Sequence, residues 1–117
     1  MRSFSMFGVF AVLAIVNEPA PVAGAETHEG TCSLISGNTL VVEPCSIRVS
    51  ANAFSATYVL EWKSGHKTIM KLHSDGNTVN GEPALQVRAP ADVMAKSECF
   101  EQTTYRDIYC SFIPGIQ

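Results

Sequence analysis

Basic residues are scarce in this chain: eight Lys and Arg stand against eleven Asp and Glu, for a formal net charge of −3. That balance gives no electrostatic footprint for a phosphate backbone, so nucleic acid is not an expected partner. Charged residues make up only 16% of the sequence, which leaves few groups for acid–base chemistry. No two cysteines have C-x-x-C spacing, so a structural zinc site and a redox-active dithiol both lack their usual ligands. There is no G-x-S-x-G elbow for an activated serine and no run of glycines to cradle a phosphate. Neither a cofactor nor a metal is expected. Internal repeats and low-complexity segments are absent too.

Long apolar runs are also missing, with one exception. Residues 6–16 are unbroken apolar after Arg2. As a helix they would span about 16 Å, roughly half a bilayer core. That is the length of a signal-peptide h-region, with Arg2 as a minimal n-region. Pro19 and Pro21 end the run, and Ala23-Gly24-Ala25 places small residues at −3 and −1. The reading is a cleaved signal over 1–25 and one domain over 26–117. The product is expected in the periplasm or secreted, with no stable membrane anchor after cleavage.

The domain keeps few large aromatics: Phe54, Phe100, Phe112, Tyr58, Tyr105, Tyr109 and Trp62. A core that thin is marginal at this size. All four cysteines, Cys32, Cys45, Cys99 and Cys110, lie in the domain. An even count in an exported chain reads as a disulfide framework, with three possible connectivities. Cys32–Cys45 and Cys99–Cys110 are favoured because each pair brackets one predicted hairpin.

Most of the domain reads as short strands. Residues 26–30 are polar and expected to fray. Segments 31–36 and 39–43 flank a Gly37-Asn38 turn, and Pro44 is expected to interrupt. In 57–63, Tyr58, Leu60 and Trp62 share one face. Segment 68–73 follows, with Met70 and Leu72 on one face. Asp75-Gly76-Asn77 and Asn80-Gly81 are turn signals around a very short strand at Thr78-Val79. Segment 84–88 is expected to bury Leu85 and Val87. Residues 90–97 are the one plausible helix, with Pro90 and Asp92 in its first turn. A hairpin around Cys99-Phe100 and 108–112 closes the chain. The expected fold is all-β: a small antiparallel barrel or sandwich of about six to eight strands, with at most one short helix and two disulfides.

The motifs Cys32-Ser-Leu, Pro44-Cys45, Trp62-x-Ser64-Gly65, Val79-Asn80-Gly81-x-Pro83, Cys99-Phe100 and Tyr109-Cys110 resemble those of small exported proteins of proteobacteria and cyanobacteria. In that group a cysteine-bracketed hairpin stands at each end, with Trp-x-x-Gly and Asn-Gly turns between. The resemblance covers nearly all of 26–117. It implies export and a β fold, and carries no activity with it. Periplasmic lysozyme inhibitors are similar in size, compartment and disulfide content. Their Ser-Gly-x-x-Tyr loop is not matched, because His66, Lys67 and Thr68 follow Ser64-Gly65 here.

Binding is the expected function class: protein–protein contact by an inhibitor, immunity-type or envelope accessory protein. The partner would be another envelope or extracellular protein. Two turns are candidates. Lys63-Ser-Gly-His66-Lys67 is a small basic tip. Tyr105 and Arg106 sit at the tip of the Cys99–Cys110 hairpin and are common hot-spot types. The plainer reading of that tip has Tyr105 capping the core edge and Arg106 paired with Asp107. Trp62 is expected in the core. Two rivals remain: a small hydrolase using mid-strand Glu61 or strand-ending His73, and a structural envelope component. His66 and His73 bracket a strand of about 20 Å and cannot share a metal.

Overall fold

A computed structural model describes residues 26–115. The proposed signal segment, 1–25, lies outside the described residues. Eight strands follow in chain order: β1 (Glu26–Ser36), β2 (Thr39–Ala51), β3 (Ser55–Trp62), β4 (Lys67–His73), β5 (Gly76–Val79), β6 (Glu82–Val87), β7 (Glu98–Gln102) and β8 (Ile108–Phe112). Each pairs antiparallel with the next, and β8 returns to β1 over Thr31–Ile35. The sheet is a closed up-and-down barrel, so every described strand has a neighbour on both sides.

Alternation along each strand fills the interior. Cys32, Cys45, Ile47, Leu60, Trp62, Met70, Val79, Ala84 and Phe100 form its buried cluster, joined by Ile113 just after β8. Leu34, Val41, Val49, Tyr58, Leu72 and Tyr109 pack against them. Gly30 is required where β1 meets the end of β8. A Cβ there would collide with the Phe112 carbonyl oxygen and come within 2.8 Å of Ile47 Cδ1.

Both disulfides form as their hairpins suggest, Cys32–Cys45 and Cys99–Cys110. They point opposite ways. Cys32 and Cys45 belong to the interior cluster. Cys99 sits directly across from Cys110 on the outer face, with Cα atoms 4.1 Å apart. Residues 88–97 strap over it, and Val93, Ile35, Val87, Ala89 and Ile108 complete a second small cluster.

Several local expectations are corrected. Residues 26–30 do not fray: they begin β1 and pair with 45–49. Pro44 does not interrupt β2. The β2–β3 ladder ends at Cys45–Trp62, and the Pro44 carbonyl accepts from Lys63 N at 3.1 Å. In a strand the N–H points the same way as the C=O, so the donor that proline lacks would fall just past the ladder. No helix forms over 90–97. Two separate turns replace it, closed by Val93 N to Pro90 O and Ser97 N to Met94 O, and Lys96 takes φ 71°. The strap bends because Val93 must reach the outer disulfide.

Segment 84–88 is reversed. Ala84 is buried and Leu85 is 63% exposed, while Val87 faces the outer cluster. The turn sets this parity. Asn80 and Gly81 both have positive φ, at 51° and 83°, the requirement of a tight two-residue hairpin. That pairs Glu82 with inward Val79 and sends Ala84 inward as well.

Candidate functional site

In an up-and-down barrel alternate turns gather at one end. Here the β1–β2, β3–β4, β5–β6 and β7–β8 turns surround a single mouth. Beneath them opens a cavity of about 350 Å³. Its walls come from strand ends with inward parity. Tyr109, Leu34 and Val41 lie in one row across β8, β1 and β2. Trp62 ends β3 opposite Cys45, and Thr68 lies opposite Leu60 on β4. The Trp62 indole N–H donates to Thr68 Oγ1 at 3.0 Å, so the ring is fixed and its polar edge satisfied. Trp62 is therefore core, as expected, and cavity wall as well.

Glu43 contributes the inward carboxylate. It stands across from Cys32 on β2 and shares its face with Cys45. Its Oε1 accepts from the Ser64 backbone N–H at 2.9 Å. Asn80 lines the opposite rim. Its N–H donates to Ile69 O at 2.8 Å, and its Oδ1 accepts from Ile69 N at 2.9 Å, extending the ladder beyond short β5. The Tyr109 hydroxyl titrates above the ordinary tyrosine value, first because of burial and then because of nearby Asp107. A hydrogen bond with Asn80 works against that shift.

The residues singled out from sequence divide. His66 and Lys67 line the mouth cavity. Lys67 also reaches Glu61 on the outer surface, at 3.9 Å. Lys63 faces instead a shallower depression of about 270 Å³ shared with Glu29, Pro44, Ser46 and Glu61. Tyr105 lies in the β7–β8 turn at the mouth end and is 61% exposed, so it does not cap the core. Arg106 pairs with Glu101, Nε to Oε2 at 2.6 Å, rather than with Asp107. Its φ of 65° and the bond from its N–H to Gln102 O set that tip. His73 is exposed at the end of β4. Among the described residues no three His, Cys, Asp or Glu side chains gather to hold a metal.

Sequence reasoning missed Glu43, Asn80, Tyr109, Leu34 and Val41. Parity held the signal for Glu43, because it lies two residues before Cys45. Expecting Pro44 to break the strand concealed it.

The opposite end also places a carboxylate inward. Glu98 pairs across from Ser111 and shares its face with Phe100. The Tyr58 hydroxyl bonds to it. Tyr58 is pushed above the ordinary value by burial, then by the Glu98 charge and that hydrogen bond. Nearby, His28 Nε2 lies 2.8 Å from Glu26 Oε1.

Comparison with known protein families, with curated proteins and with solved structures finds no match to this chain. The functional reading therefore rests on the barrel mouth itself.

Proposed function

We propose that this chain is an exported binding module that grips another envelope or extracellular protein with the mouth of its barrel. An inhibitor, immunity-type or envelope accessory role fits that description. One observation carries the reading. The two turns singled out by residue type, 63–67 and 103–107, close the β3–β4 and β7–β8 hairpins at the same end of the barrel, where Ser64, His66 and Lys67 of the first and Tyr109 beside the second line the cavity. Exposed Leu40 and Val42 add apolar surface on the neighbouring β1–β2 hairpin. Barrel closure and two disulfides hold these tips in place before binding, which lowers the ordering cost of association. The disulfides are compatible with an oxidising, exported location.

Capture from envelope and culture-fluid fractions tests the reading. The wild-type protein and an Asp75→Ala control, altered at the far end, should retain the same partner. Tyr105→Ala/Arg106→Ala should retain about tenfold less, as expected for hot-spot residues. Equal capture by all three proteins would overturn the mouth as the binding face.

A further inference from the structure

The mouth cavity is lined by one carboxylate, the half-buried Glu43. Glu43 Oε1 is held by the Ser64 N–H, while Oε2 has no hydrogen-bond partner among the described residues. Lys67 lines the same cavity, and its ammonium lies 3.9 Å from Glu61 Oε2 on the outer surface. His66 sits in the exposed turn. Around Glu43 stand two aromatic rings, Trp62 and Tyr109, and two aliphatic side chains, Leu34 and Val41. A carboxylate and aromatic rings lining one cavity suit a cation, which gains a counter-charge and ring-quadrupole attraction. The aliphatic wall suits an apolar stem. The volume of about 350 Å³ lies at the small end of ligand pockets, roughly 300–1,000 Å³.

We infer that the mouth cavity binds an alkylammonium or guanidinium group on a short apolar stem, with Glu43 as its counter-charge. The inference rests on the mouth being the binding face and specifies what enters it. Such a group is carried equally by a lysine or arginine side chain of a partner and by a free amine.

Trp62 is the sole tryptophan of the chain and lines the cavity, so its fluorescence reports occupancy. The purified protein, disulfides intact, is titrated with n-hexylammonium, N-acetyl-lysine methylamide, n-hexanoate and n-hexanol. Hexylammonium should give a saturable change, and hexanoate should bind more weakly. Glu43→Gln keeps an oxygen for the Ser64 N–H and removes the charge. It should weaken ammonium binding by about tenfold or more and leave hexanol unchanged. Binding of the blocked lysine at least as tight as that of hexylammonium assigns the site to a protein side chain; binding of the free amine alone assigns it to a small molecule.

Three results would overturn the inference. They are hexanoate binding as tightly as hexylammonium, an unchanged affinity in Glu43→Gln, or no saturable response up to about 10 mM. The two experiments fail separately. A silent titration with capture still lost in Tyr105→Ala/Arg106→Ala removes the cation and keeps the mouth as a protein-binding face. A saturable titration with equal capture keeps the cation site and removes the mouth as the protein-binding face.

Discussion

The two ends of the barrel each turn a glutamate inward and treat it differently. At the far end Glu98 receives the Tyr58 hydroxyl, beside the tight crossing of β1 and β8 at Gly30. At the mouth Glu43 has one backbone donor and then open cavity. Residue type and inward parity are the same at both ends. The difference lies in what the neighbouring strands bring up against the carboxylate. The inward acid at the far end is tied to another side chain, whereas the one at the mouth borders a cavity and, on the proposal above, serves a ligand.

Three perturbations test that contrast, beginning with the largest effect. Gly30→Ala puts a methyl against the Phe112 backbone, which cannot swing aside. A loss of about 3 kcal/mol is expected from the urea midpoint, since overpacking against backbone lies at the costly end of its range. A midpoint within about 0.5 kcal/mol of wild type would mean that the far end yields as easily as the mouth. Thr68→Val acts at the mouth. It conserves shape but leaves the buried Trp62 N–H without its acceptor. A cost of about 1–3 kcal/mol is expected, with a shifted Trp62 emission. An unchanged emission would mean that the indole is not held by that bond.

The smallest effect is alkaline. Tyr58 and Tyr109 both titrate above their unfolded value of 10.0 in the folded state. The unfolded chain therefore releases these protons first. Their stabilisation is complete below pH 10 and is lost as pH rises through the raised folded values. Burial leads at both tyrosines. A carboxylate charge then raises each, Glu98 at Tyr58 and Asp107 at Tyr109, but the side-chain hydrogen bond adds to the shift at Tyr58 and opposes it at Tyr109. Tyr58→Phe should flatten the alkaline decline in melting temperature more than Tyr109→Phe. The reverse order would place the stronger coupling at the mouth.

The legible parts of the molecule were local ones. Tyr58, Leu60 and Trp62 share a face because side chains alternate with period two, and the structure packs all three on the interior cluster. The disulfide pairing was legible because each cysteine pair brackets its own hairpin. Leu85 was misplaced because apolar character outweighed the turn. Asn80-Gly81 fixes the register of β6, and that register leaves Leu85 outside. Local signals over 90–97 suggest a helix because the shape of that strap depends on a distant contact, Val93 on Cys99 and Cys110.

Alternation, turn residues and cysteine spacing by themselves determined an all-β chain of short antiparallel strands with two hairpin disulfides. These signals act within one hairpin, where loop closure is short and its entropy small. Only the tertiary structure decided that β8 returns to β1. That closure joins residues far apart in sequence and leaves no periodic trace in either strand. It sets the four turns in one ring, directs Glu43 toward the same cavity as Trp62 and Tyr109, and so creates the mouth on which the functional reading depends.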